Sequence, residues 1–316
     1  MPNIELNDKE FAVKYPGIIE ILLLDRTTKK NLIYGTSNYL SKGHRAEDQI
    51  EYSALINAKK SLIRPRIEKS KAEQKKRSKD AAEVFTPSWV CNLQNNLVDE
   101  DWFGHKGSFN EETEQGWKTN SKIDFGDKSW KKYVDLERIE ITCGEAPYLV
   151  SRYDAVQGTE IEVKDRIGLF DRKLRAISEN TEDQKDYLSH AFTALKRVYG
   201  FDFQGDNVFL ARRNLFLDFI EFYQDKFGEE PSLDSLKEAA KIISYNIFQM
   251  DGMKFVIPFS CHKEEPRQLS LFEDMMPEPE ICYGCKTGDI TRHNGIYATI
   301  RDWRNNKTIK FIDVMK

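Results

Sequence analysis

Long apolar runs are missing from this chain. The longest, Ile18 to Leu24, spans seven residues and is broken by Glu20, far short of the roughly 18–20 that a membrane helix needs. The N-terminus has neither the basic start nor the apolar core of a secretion signal. Cysteine is scarce and odd in number, five in 316 residues, which argues against a disulfide framework. Neither sign of charge prevails. The net charge of -4 gives no global attraction to nucleic acid, so any such contact must come from a local patch. These absences predict a cytoplasmic globular protein with no membrane partner. At 40% hydrophobic and 32% charged residues, the chain can bury one full core with a smaller module beside it.

Residues 18–24 and 31–36 ("IIEILLL", "NLIYGT") flank the polar turn "DRTTKK" and predict a β-hairpin within an N-terminal module, 1–58. Residues 59–80 carry ten Lys/Arg against three acids. They read as a basic linker or solvated helix, either a charged surface or a phosphate contact. Residues 107–131 are polar and read as a long loop. Beyond 136 the texture becomes α/β. "LERIEIT" suits a buried strand, "YGFDF" (199–203) a strand ending in an acid, and "NIFQM" another. Tyr187, Leu188, Ala191, Phe192, Leu195 and Val198 recur at helical spacing. Asp206 is a candidate cap for a helix containing Leu210, Leu215, Phe219 and Phe222, and Pro231-Ser232 opens another through Ile243. This alternation predicts a parallel sheet with right-handed crossovers. Residues 260–281, acidic and proline-containing, read as an exposed loop, and no internal repeat is visible.

In open parallel sheets, ligands bind at the carboxyl ends of strands, where glycine admits close backbone approach. "EITCGEAPYLVSRYD" fits such a loop. Its neighbours along the chain are "KDAAEVFTPSWVCNLQNN", "RIGLFDRKLR", "YGFDFQGDN" and "NIFQMDG". Together, over about residues 30–305, they resemble the adenine-N6 DNA methyltransferases of restriction–modification systems, and most closely the family called restriction endonuclease subunit M. The resemblance implies a class I S-adenosylmethionine-dependent methyltransferase-like (Rossmann-like) domain over 81–316. It implies that Phe85, Thr86 and Pro87 contact S-adenosylmethionine. It also implies that Glu140, Thr142, Cys143 and Gly144 surround the methionine part of that cofactor. Asp202 takes the position of the acid for the ribose hydroxyls, Phe203 that of an apolar neighbour of the adenine, and Asp251 that of the acid after the third strand. Two features depart from the family pattern. Ala146 and Pro147 stand where further glycines are usual, and about sixty residues separate Gly144 from Asp202. Residues 157–183 are therefore expected to be an insertion, a flap over the cofactor or a contact surface.

The family grips its flipped target base with Asn-Pro-Pro-Tyr or Asp-Pro-Pro-Tyr. None of the ten prolines here is followed by another. The expectation is a split enzyme: this polypeptide supplies the cofactor half, and a second subunit supplies the catalytic tetrapeptide and DNA target recognition. The rival expectation, from another class, is a scaffold that has lost cofactor binding and tethers a nuclease or the sliding clamp to DNA.

Three smaller patterns complete the reading. "QLSLF", with Gln268, Leu271 and Phe272, resembles the pentapeptide by which bacterial proteins dock on the replication sliding clamp; the alternative is a loop that tucks two apolar residues onto the core. Cys261, His262, Cys282, Cys285 and His293 offer zinc-type ligands, but a single Cys-x-x-Cys lacks a second clean pair, so unmetallated thiols at a loop base are expected. Asp154, Glu162 and Lys164 loosely fit the acid…acid-x-Lys pattern of a Mg²⁺-dependent nuclease.

Overall fold

The computed structural model describes residues 7–58, 60–81, 83–263 and 281–315. The chain runs through α1 (Asp8–Lys14), α2 (Ile18–Leu23), α3 (Tyr52–Ile56), α4 (Lys71–Ala81) and α5 (Ser88–Phe103). Then follow β1 (Asn110–Thr113), β2 (Gly116–Thr119), α6 (Trp130–Val134), β3 (Arg138–Ile141), α7 (Leu169–Asn180) and α8 (Gln184–Leu195). It continues with β4 (Val198–Asp202), α9 (Gly205–Phe227), α10 (Leu233–Asn246) and β5 (Ile247–Gln249). Last come α11 (Tyr283–Thr287), β6 (Thr299–Asp302) and β7 (Lys307–Lys310). Among the described residues, no helix is long and apolar enough to cross a membrane.

The fold is mixed α/β with small sheets. β3, β4 and β5 lie side by side in that order, all parallel. Parallel pairing follows from the helices that intervene, because each strand must be entered from the same end. β4 is central and buried except at Tyr199. β3 departs from the buried strand expected of "LERIEIT": Ile139 and Ile141 are 47% and 67% exposed. It is an edge strand, and only Glu140, on its opposite face, is buried.

Several local expectations change. The predicted hairpin at 18–36 is helix α2 followed by a single bridge, Leu24 to Asn31. Ile18, Ile19, Leu22 and Leu23 are all buried, a spacing that one helical face satisfies and a strand would split between two faces. Nor do the described residues of the N-terminal module stand apart: Phe11, Ile18 and Leu22 share one continuous core with Phe216 and Ile243. The loop at 107–131 contains the antiparallel β1–β2 pair, which turns at Gln115 with φ 53°. The insertion at 157–183 holds α7, whose Phe170, Leu174 and Ile177 are fully buried, so that helix is core and not a flap, while 157–165 lies at the surface.

The start of α9 fixes the N-terminal segment against the sheet. Gly205 donates its N–H to Tyr34 O at 3.1 Å. A Cβ on Gly205 would lie 2.0 Å from Ile33 O, so only glycine admits this crossing. The Gln249 side chain completes the junction, donating to Ile33 O and Phe203 O and accepting from Ile33 N. The expected strands at 199–203 and 246–250 and the helix opened by Pro231-Ser232 are present, the last capped by the Ser232 side chain.

Candidate functional site

A cavity of about 420 Å³ opens at the carboxyl ends of β3 and β4, within the size range of small-molecule sites. Its floor is the loop that leaves β3. There Thr142, Gly144 and Ala146 have φ of 48°, 54° and 64°, three left-handed residues among five. A Cβ at Gly144 would meet nothing, so conformation and not space calls for glycine there. Thr142 and Ala146 hold the same region against their preference, strain that clusters at functional loops.

Asp202 ties that loop to β4. Its carboxylate accepts from Gly144 N at 2.9 Å and Gln204 N at 2.8 Å. Burial pushes its carboxyl up to about 6, although both backbone bonds oppose the rise. Glu140 accepts from Tyr148 N and Leu149 N at 3.4 and 3.2 Å, and burial pushes it up to about 8. Glu145, raised by the same cause, accepts from Arg66 N at 2.6 Å and Tyr153 Oη at 2.7 Å. Carboxyls thus line the cavity beside the aromatic walls Phe85, Tyr148 and Phe203. A flat ligand carrying positive charge suits these surroundings, because a cation would stabilise the ionised carboxylates.

Of the residues singled out from sequence, Phe85, Thr86, Glu140, Thr142, Cys143, Gly144, Asp202 and Phe203 line this one cavity. Pro87 does not; it stands at the N-cap of α5, its carbonyl accepting from Val90 N and Cys91 N. Cys143 is buried, and burial pushes its thiol well up. Asp251 lines a second cavity, of about 330 Å³, together with Lys254, Phe259 and Phe203. Phe203 borders both cavities.

Sequence reasoning missed the brace behind the cavity. Arg77, in the basic run, is buried at 2% exposure. It holds Glu83 through two 2.7 Å bonds and Asp206 through another, and it also donates to Gln204 and Asn207. Asp206 therefore does not cap α9. It sits in the first turn, shared between Arg77 and Tyr39 Oη. Glu83, Gln204 and Asn207 border the cavity and lie within a few positions of the recognised motifs. Arg77 had no sequence signal, being one of ten cations in its stretch. Others of that group, Arg64, Lys69 and Lys76, line a further cavity of about 220 Å³ with Lys42, a local patch where anion contact is feasible.

The remaining patterns fare unequally. The sulfurs of Cys261, Cys282 and Cys285 and a ring nitrogen of His293 all lie within 4.8 Å of one another. Four of the five zinc-type ligands singled out from sequence thus converge on one point. His262 stands outside it, exposed, its backbone N–H bound to Asn294. Asp154 is buried and accepts from the N–H groups of Ser88, Val156 and Gln157. Glu162 and Lys164 are exposed and pair with each other at 2.8 Å. Gln268, Leu271 and Phe272 lie outside the described residues. No family model, curated protein or solved structure matches this chain.

Proposed function

We propose that the cavity below Phe85 binds S-adenosylmethionine within a class I methyltransferase-like (Rossmann-like) domain. On this reading, the chain is the cofactor-binding component of a DNA adenine-N6 methyltransferase in a restriction–modification system. The supporting observation is convergence. The Phe85 segment, the left-handed loop around Gly144 and the acid that ends β4 are far apart in sequence, yet they line one acidic and aromatic cavity at the strand ends. Asp202 uses two of its lone-pair positions on backbone N–H groups and retains others for ribose hydroxyls. Glu140 and Asp202 suit the sulfonium and ammonium charges, and Phe85 or Phe203 an adenine face. Transfer would be direct attack of the adenine N6 on the methyl carbon, promoted mainly by positioning. The sulfur–methyl bond breaks, so that the thioether S-adenosylhomocysteine leaves and N6 gives up a proton to solvent.

No Asn-Pro-Pro-Tyr or Asp-Pro-Pro-Tyr tetrapeptide is present in this sequence to hold the acceptor base, so a second polypeptide would supply it together with target recognition. The open edge of β3 supports such a partner. No described strand pairs with that edge, and its isoleucines are exposed, whereas parallel sheets are ordinarily covered. The Lys42, Arg64, Lys69 and Lys76 patch is the candidate DNA-phosphate contact.

Calorimetry with S-adenosylmethionine or its demethylated product is expected to give a saturable isotherm. Asp202→Ala should weaken binding by about 10–100-fold, the loss of charged hydrogen bonds worth about 1.5–3 kcal/mol. Phe85→Ala should weaken binding without touching the loop. The scaffold reading has one observation in its favour: the Arg66 guanidinium already covers the Phe85 ring, 4.5 Å from its centroid. Absence of any isotherm for the native chain would reject the methyl-donor reading and leave the scaffold. Methylation of DNA by this chain alone would reject the need for a partner.

Donor binding should also depend on pH with a definite sign. In the free protein, burial pushes Asp202 up to about 6 and Glu140 up to about 8. A bound cation favours their ionised forms and so expels protons. Affinity is expected to rise by about tenfold between pH 6 and 8. At pH 7 the binding heat should change with the ionisation enthalpy of the buffer, and a heat independent of buffer would remove the coupling.

A further inference from the structure

We infer that Cys261, Cys282, Cys285 and His293 form a structural zinc site. The inference stands apart from the methyl-donor reading, since none of the four borders that cavity. The geometry carries it. His293 Nδ1 lies 3.6, 3.7 and 3.6 Å from the sulfurs of Cys261, Cys282 and Cys285. A tetrahedral Zn²⁺ with Zn–S of about 2.3 Å and Zn–N of about 2.0–2.1 Å would set sulfur and nitrogen about 3.5–3.6 Å apart.

Hydrogen bonding does not account for this arrangement. An imidazole nitrogen has a single in-plane position, one lone pair or one hydrogen, and it cannot serve three sulfurs at once. One cation at the centre satisfies all four atoms. Two glycines make room for them. A Cβ on Gly284 would come within 2.8 Å of His293 Cγ, and one on Gly295 within 2.9 Å of Cys261 Sγ. Asn294 N donates to Cys282 Sγ at 3.2 Å, the kind of outer bond that steadies a metal thiolate.

Four protein ligands fill a tetrahedron, so the site is closed and structural, not catalytic. Binding would release protons from the three thiols to solvent, and affinity would fall in acid. The ligands arrive from two stretches: Cys261 from the segment after β5, and Cys282, Cys285 and His293 from the N-cap of α11, the helix itself and the loop beyond it. The metal would clip the segment around 261 to that around 282–293. It would thereby hold Phe259, which meets the Phe203 ring edge-on at 5.5 Å, and with it the wall of the second cavity.

The full chain, prepared with zinc present and desalted, is expected to retain about one zinc per chain by elemental analysis. Cys285→Ser and His293→Ala should each lower that ratio at least several-fold, while Cys91→Ser, a buried cysteine elsewhere in the fold, leaves it unchanged. Stripped native chain titrated with Co²⁺ should develop intense visible bands of tetrahedral cobalt and a near-ultraviolet thiolate charge-transfer band. That titration needs no variant, so misfolding of a variant cannot decide the matter. Cobalt spectra without thiolate bands, or equal zinc in native chain and Cys285→Ser, would overturn the site.

Discussion

Replacing Arg77 by methionine is expected to destabilise the protein by about 3–5 kcal/mol and, on the proposed reading, to abolish binding of S-adenosylmethionine. The guanidinium is buried together with Glu83 and Asp206, whose side chains are 4% and 0% exposed. Burial, the largest influence, would raise the Asp206 carboxyl, but the charges of Arg77 and Lys69 and the hydrogen bonds from Arg77 and Tyr39 together hold the group below its ordinary value. Removal of the cation leaves two carboxylates without a counter-charge, and an uncompensated buried charge costs more than the pair itself contributes. The loss would also be local. Arg77 tethers α4 and Glu83 to the first turn of α9, so the wall that carries Phe85 would lose its anchor. Arg77→Lys restores the charge but not the fork, and it should recover only part of the stability. Urea unfolding with calorimetry on the same samples checks both effects. A loss below about 1 kcal/mol would show that the network does not brace the fold.

A comparable loss, about 3–5 kcal/mol, is expected for Arg212→Met. This residue is fully buried in α9. It donates to Leu22 O, Leu24 O, Ser244 O and Ile247 O at 2.6–3.0 Å. These carbonyls close the C-terminal ends of α2 and α10, where unpaired acceptors and the negative end of the helix dipole favour a cation. Burial lowers the guanidinium from its ordinary value, and the nearby Asp25 carboxylate opposes that fall. Methionine conserves volume and supplies no donor, leaving several buried carbonyls unpaired. The midpoint of chemical unfolding should fall while its denaturant dependence stays unchanged. A midpoint near that of the native chain would mean water replaces the lost donors.

The strands and helices of 184–250 were legible because their patterns are regular. Tyr187, Ala191 and Leu195 recur on one helical face, and "YGFDF" runs into an acid and then Gln204-Gly205. The loop after β3 was legible through Gly144, and the acid at Asp202 through its place at a strand end. Segment 18–24 was not legible. Seven residues of nearly unbroken hydrophobicity carry no period that separates helix from strand, and the choice falls to α10 and Arg212, two hundred residues away. Arg77 was hidden for the opposite reason. Its role depends on which of ten similar cations happens to face Asp206.

The sequence by itself determined the alternation of strand and helix, the glycine-bearing loop and the set of side chains able to line a binding cavity, because these follow from local periodicity and residue chemistry. Only the tertiary structure decided that Phe85, Gly144 and Asp202 meet, that Asp251 faces a different cavity, and that three cysteines converge on His293. Distances between residues far apart in the chain are set by packing the whole core, a sum of many weak contacts that no single stretch encodes.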